Sequence, residues 1–426
     1  MKLDFVNRKN ELKELDQLSR KFGMLVLYGR RRVGKTRLIK HWISHQGGFY
    51  TQAIEASREV QIQQAYQDIK QHLKTDITPK TWSEFFELLE LYTKPLFLAF
   101  DEFSYWVESD PSLPSVLQRW WDHKKKEDVF LILSGSSQKM MHSVFLNSQA
   151  PLYGRAQKII QIKPMNYTAF CDLFGWKKSD SETFCKYSMV GGIPKYWEFL
   201  DVKMKSVDVA EELYFSTAPY MDDEPHRVMR DEKTDTASAV NLLEVIGRGA
   251  HRPSEMASRL GTNQTNLSRL IQQLLDANLI RKEIPFGESH KSTKRVLYKI
   301  ADPALRFWFN VYSPHRVMWS QYDLSKKKKL ISDFASGVFE DYIRSGFPSS
   351  SRYWEQGAEF DLVCPSSPFH RGKPVVAEVK WGSLSEREAQ RQLTELKLKW
   401  KTCHLSEKLE DVQFEVIDSD WLERVE

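Results

Sequence analysis

The chain has 426 residues, 41% of them apolar, which is enough for two to four domains with cores of their own. Its 62 basic and 57 acidic side chains leave a net charge of +5, so any basic surface for nucleic acid has to be local. The opening MKLDFVNRKNEL has no apolar signal core, no run approaches the roughly 20 apolar residues of a membrane helix, and the four cysteines show no CxxC spacing. These features speak against a membrane partner, a zinc site and a disulfide framework, and lead us to expect a cytoplasmic protein.

The strongest signal comes first in the chain. An apolar strand, Met24 to Tyr28, runs into Gly29-x4-Gly34-Lys35-Thr36, and an amphipathic helix carrying Leu38, Ile39, Trp42 and Ile43 follows. A triphosphate needs all three parts. Glycines let backbone N–H groups curl around the phosphates, and the helix N-terminus adds its positive end. Lys35 is then expected to reach the β and γ phosphates of ATP, with Thr36 on Mg²⁺ and Arg37 among the nucleotide contacts. The pattern arises by chance in roughly one chain in fifty of this length, and its strand–loop–helix setting makes it rarer.

Further along, KPLFLAFDEF is a buried strand ending in Asp101-Glu102, at the strand end where parallel sheets bind ligands. Asp101 is expected to hold Mg²⁺ through water and Glu102 to polarise the attacking water. A third strand, Val129 to Leu133, leads into Ser134 and Ser136; contact with the γ-phosphate and ordinary turn chemistry both suit them. Arg155, before a further strand, sits where a finger that neutralises transition-state charge is expected, within one chain or across to another.

In order, FVNRKNEL, GRRRVGKT, LAFDEF, PLYGRA and GGIPKYWE resemble the prokaryotic P-loop ATPases called archaeal-type ATPases, within the AAA+/STAND group. That resemblance implies that Phe5, Arg8 and Glu11 frame the base, and that Gly192 and Pro194 belong to a helical lid over the adenine. It also implies a winged helix followed by a restriction-endonuclease-like tail.

The middle of the chain carries its own pattern. ASAVNLLEVIGRG, RPSEMASRLG and TNQTNLSRLIQQLLDANLI read as three helices, and RKEIPFGESHKSTKRVLYKI as a hairpin with a basic tip, the layout of a winged helix-turn-helix. Arg269 on the third helix, with Lys291, Lys294 and Arg295 on the wing, are the expected nucleic-acid contacts, DNA before RNA. Acidic Glu283 and Glu288 dilute that patch, which suits a module that packs on the ATPase and relays its state slightly better. Lys326 to Lys329 suit a solvated helix face or linker better than a binding stripe.

In the last hundred residues, VVAEVKWG sets Glu378 and Lys380 two apart on a strand, hence on one face. GAEFDLVCP pairs with it if the hairpin centres near Phe369 and His370, which places Asp361 opposite Glu378, about 5 Å away at Cβ. Two carboxylates that close call for a proton or a divalent cation, Mg²⁺ or Mn²⁺. The set Asp361, Glu378 and Lys380, with Glu340 on the preceding helix, resembles the PD-(D/E)xK nuclease superfamily. Glu359-Phe360 stands where that superfamily's namesake has proline, leaving open whether Glu359 or Asp361 faces the metal.

The expectation is a multidomain α/β chain. It comprises a P-loop NTPase parallel sheet over 1–165, a helical lid over 166–232, a winged helix-turn-helix over 233–302, a linker over 303–330 and a restriction-endonuclease-like α/β domain over 331–426. Its expected activity is ATP hydrolysis controlling a metal-dependent nuclease, with a homo-oligomer or protein partner allowed. The competing expectations are a signalling ATPase whose tail is a non-catalytic docking or nucleic-acid-binding module, and a sequence-specific DNA-binding regulator.

Overall fold

The computed structural model describes residues 5–73, 77–92, 95–123, 128–136, 138–232, 236–289 and 293–424. The chain divides into two compact units, Lys2–Met165 with Ile193–Glu198, and Asn166–Gly192 with Phe199–Glu426.

The first unit is built on five strands: β1 (Gly23–Tyr28), β2 (Phe49–Gln52), β3 (Leu96–Asp101), β4 (Val129–Gly135) and β5 (Ala156–Gln161). They pair in parallel in the order β2-β3-β4-β1-β5. Burial on both faces explains the continuous apolar runs of β1 and β4. Because all five run the same way, the ends of β1, β3 and β4 bring Gly29, Asp101 and Ser136 to one edge. The helix Lys35–Gln46 packs Leu38, Ile39 and Trp42 inward, and an aromatic core around Trp82, Phe86, Phe100, Trp106 and Trp120 supports β3.

In the second unit, helices Tyr167–Phe174 and Ser181–Val190 precede three further helices, Thr236–Gly247, Pro253–Leu260 and Gln264–Asp276. Asn166 and Asp180 cap the first pair through their side chains. Gly261, left-handed, ends the middle helix of the following three. An antiparallel pair follows, β6 (Ile280–Glu283) with β7 (Leu297–Ile300). Lys291 lies outside the described residues.

Residues 303–330, expected as a linker, are instead helical. Pro303–Phe307 continues into a wide turn, Trp308–Tyr312, that buries Phe307, Trp308, Phe309 and Tyr312, and Trp319 stacks on Phe215 at 3.9 Å. The helix Leu324–Ser345 then runs straight through the expected boundary at 331, with Lys326 on its exposed surface and Lys327 paired to Glu211 at 2.7 Å. The expected lid is also divided, since Ile193–Glu198 groups with the first unit.

After that helix come β8 (Ser351–Glu355), β9 (Ala358–Cys364), β10 (Val375–Val379), the helix Glu386–Lys401 and β11 (Gln413–Ile417). The sheet order is β11-β10-β9-β8, with β10 and β11 parallel and the other pairs antiparallel. A capping box of Ser385 and Glu388 opens the Glu386–Lys401 helix. All four cysteines are buried free thiols. Among the described residues no helix is long and apolar enough to cross a membrane.

Candidate functional site

At the edge of the parallel sheet the phosphate loop is closely determined. Gly29 has φ 151°, and a Cβ there would meet the Ile162 carbonyl oxygen at 2.4 Å; Gly34 is left-handed at the helix start. Lys35 is buried and donates to the carbonyls of Gly29 (2.7 Å) and Arg30 (3.1 Å) and to Ser136 Oγ (2.8 Å). Thr36 Oγ1 donates to Asp101 Oδ2 at 2.6 Å, and Ser134 donates to the other oxygen of that carboxylate. Ser136 Oγ in turn donates to Glu102 Oε1 at 2.5 Å, so one hydroxyl ties the loop lysine to the glutamate after β3. Glu102 itself has φ 54°, a strained conformation for a residue without glycine's freedom. A hydroxyl and a carboxylate at hydrogen-bond distance are hard oxygen donors that suit Mg²⁺.

The second cluster lies on β9 and β10. Their register pairs Val375 with Cys364 and Ala377 with Leu362, so the next residue along each strand is Glu378 on one and Asp361 on the other. Asp361 Oδ2 accepts from the Val379 N–H (3.0 Å), and Glu378 Oε1 accepts from Lys380 Nζ (2.7 Å). Lys399 stands 3.9 Å from the other Glu378 oxygen. Burial, and then the charge of Asp361, push the Glu340 carboxyl above its ordinary range, which places Glu340 within electrostatic reach. Lys380 is shifted up despite burial, by Glu378 first and then by Asp361 and Glu340. Glu359 is exposed and pairs with Arg352. Among the described residues, no group of three or more His, Cys, Asp and Glu side chains converges closely enough to hold a metal ion.

Residues 5–200 match the family described as an ATPase domain predominantly from Archaea. Residues 5–200 are a P-loop ATPase domain. An uncharacterized protein of Methanocaldococcus jannaschii is 27% identical over 95% of this chain and 93% of its own length. An uncharacterized ATP-binding protein of the same archaeon is 50% identical over 44 residues, 10% of this chain and 75% of its own. The Walker-type ATPase of Pyrococcus abyssi superposes with a TM-score of 0.53 at 19% identity, covering 72% of this chain and 97% of that one, a likeness of fold.

Around the ATPase domain's loop, the structure gathers some expected residues and holds others elsewhere. Arg8 is buried, donating to the carbonyls of Val33 (2.7 Å) and Lys163 (2.9 Å) and pairing with Glu11. Phe5 stacks on His41 with ring centroids 4.0 Å apart. Pro194 opens the short helix Pro194–Trp197, whose neighbour Glu198 stands 3.9 Å from Arg37. Arg155 is held by Asp122 (2.7 Å) and the Pro151 carbonyl (2.6 Å), a local clamp instead of a contact with the phosphate loop. Arg269 and Lys294 are exposed, whereas Arg295 is paired with Glu288 at 2.6 Å. Sequence reasoning missed Tyr50, which donates to Asp101 Oδ2 at 2.8 Å and whose hydroxyl is pushed far up by burial and by that carboxylate. Its place depends on β2 lying beside β3, and nothing in a local pattern reports that pairing.

Proposed function

We propose that this chain is an ATP-driven switch of the AAA+ kind whose C-terminal module is a metal-dependent nuclease acting on DNA in preference to RNA. The observation that carries the second half is the opposition of Asp361 to Glu378-Lys380, with the Glu340 carboxyl raised by burial and then by the Asp361 charge. Closely spaced carboxylates repel one another and are stabilised by a divalent cation, and Mg²⁺ or Mn²⁺ there would activate water for attack on a phosphodiester. Glu340, Asp361 and Glu378 are the ligands in this reading, and Lys380 steadies developing charge. In the ATPase domain Lys35 takes the β and γ phosphates, Thr36 and Asp101 hold Mg²⁺, and Glu102, held by Ser136, orients the water. Arg8, Gly29, Gly34, Arg37 and Pro194 complete the nucleotide site.

The three helices and the β6–β7 pair support a winged-helix reading, with Arg269 and Lys294 free to meet phosphates and Arg295 available once Glu288 releases it. Arg155 can serve as a finger only after leaving Asp122, which suits a contact offered to another copy in a homo-oligomer.

A second reading keeps the ATPase and makes the tail a docking module. It is favoured by the Lys380 ammonium lying directly on Glu378 and by the lack of a converged metal group among the described residues. Cleavage of labelled single-stranded, duplex and branched DNA, and of RNA, with Mg²⁺ or Mn²⁺ and with or without ATP, separates the two. Parent protein should cut and Glu378→Ala should lose at least ~100-fold of that rate. Cutting that survives Glu378→Ala sinks the site; no cutting by the parent, with ATP hydrolysis intact, favours docking.

A further inference from the structure

Asp101 is fully buried at the end of β3, and four protein groups donate to its carboxylate. Thr36 Oγ1 (2.6 Å) and the Tyr50 hydroxyl (2.8 Å) meet Oδ2; Ser134 Oγ and the Glu102 N–H (3.0 Å) meet Oδ1. A carboxylate offers about four lone-pair directions, so these donors together fix both its tilt and its rotation. Thr36 comes from the phosphate-loop helix, Ser134 from β4 and the Glu102 N–H from the chain just after β3. Tyr50 comes from β2, a strand to which the nucleotide reading assigns no part.

Tyr50 reaches Asp101 because of where β2 pairs. The parallel register sets Tyr50 beside Ala99 and Gln52 beside Asp101, with the four side chains on one face of the sheet. The small Ala99 methyl leaves the ring room to lean along the strand onto Asp101. The face of the ring lies under Lys40, whose Nζ is 4.6 Å from its centroid. Lys40 follows Thr36 by four residues on the Lys35–Gln46 helix, hence on the same side of it. One tyrosine therefore touches both the helix that presents the Thr36 hydroxyl and the strand that presents the Asp101 carboxylate. The phenol has a single hydrogen to give. Gln52 Oε1 stands 3.1 Å away, and the carboxylate, charged and closer, takes that hydrogen first.

We infer that Tyr50 is a positioning residue of the ATPase site, its hydroxyl holding the Asp101 carboxylate in the orientation that sets it beside the Thr36 hydroxyl, ready for the divalent cation of a bound nucleotide. Hard oxygen donors that are already fixed need no rearrangement to serve such a cation. A carboxylate short of one donor can turn about its last bond and has to be ordered again first, which is why the groups behind a metal-binding carboxylate govern metal affinity. This deepens the ATPase reading and rests on it for the metal. Tyr50 acts through Asp101, so its loss should be felt through the cation rather than through the phosphates.

The test uses the full chain and a non-hydrolysable ATP analogue, its affinity measured by calorimetry in EDTA and across a Mg²⁺ series. Tyr50→Phe keeps the ring, and with it the Lys40 contact, and deletes only the donor. In EDTA it should bind the analogue as the parent does; with Mg²⁺ it should need ~10-fold more of the cation for the same tightening. Gln52→Ala removes the exposed second acceptor and should follow the parent in both conditions. Weakening of Tyr50→Phe by the same factor with and without Mg²⁺ is what a merely structural tyrosine gives, and it overturns the inference. An unchanged Mg²⁺ requirement overturns it as well, and a lower one means that the hydroxyl competes for Asp101 instead of holding it. A Mg²⁺ defect shared by Gln52→Ala moves the partner of the hydroxyl from Asp101 to Gln52. A parent whose affinity ignores Mg²⁺ sinks the metal reading of Thr36 and Asp101 together with this one. A parent that responds, matched by Tyr50→Phe, removes only Tyr50 from the site.

Discussion

A single hydroxyl carries much of the ATPase site's geometry. Ser136 Oγ accepts from Lys35 and donates to Glu102, so it couples the group proposed to meet phosphate to the group proposed to meet water. A hydrogen bond to a charged partner is worth about 1.5–3 kcal/mol, so Ser136→Ala should lower kcat for ATP by ~10–100-fold. If Ser136 mainly positions Glu102, KM should move much less than kcat; a large KM change with unaltered kcat would assign it to ground-state binding instead. Sequence alone leaves Ser134 and Ser136 equivalent, because both follow an apolar strand. Their neighbours separate them: Ser134 turns to Asp101, whereas Ser136 bridges Lys35 and Glu102. Glu102 adds strain of its own, holding a left-handed conformation at the end of β3.

Among the elements, what could be read in advance is what local pattern encodes. β1, β3 and β4 announce themselves as apolar runs, and the β9–β10 register follows from the symmetry of the loop between Cys364 and Val375. Residues 303–330 escape such reading because Phe307, Trp308, Phe309 and Tyr312 crowd around a wide helical turn, Pro314 follows, and no clean 3.6-residue period results. The Arg281–Asp341 pair and the Tyr50–Asp101 contact join residues far apart in the chain, which local spacing never encodes. The same holds for β11, whose half-buried Glu415 lies beside His370 at 3.3 Å and is pushed up to about 7 by burial, only partly offset by Arg424. An acid whose pKa rises on folding keeps its proton better in the folded state, so stability falls as pH climbs from ~4.5 to ~7. Glu415→Gln should match the parent near pH 4.5 and exceed it by ~1 kcal/mol above pH 7, the group being still partly wetted. Urea unfolding across that range reads the difference, and parallel curves for the two proteins would remove Glu415 as the cause.

At the level of the whole molecule, the question is whether nucleotide state governs what the second unit does. Lys35→Ala and Glu102→Gln separate binding from hydrolysis. The first removes the ammonium proposed to meet the β and γ phosphates; the second leaves that ammonium and removes the charge proposed to orient water. Glu102→Gln should bind ATP with an affinity near that of the parent and hydrolyse it ~100-fold or more slowly, accumulating the ATP-bound form. Lys35→Ala should stay in the nucleotide-free form at the same ATP concentration. A switch then requires opposite effects on nucleic-acid cleavage or binding: one variant resembles the parent saturated with ATP, the other the parent without it. A ligand moves an equilibrium only through its differential affinity for the two forms, so identical behaviour of both variants, each with measured ATP occupancy, would mean that the ATPase domain and the C-terminal module act independently.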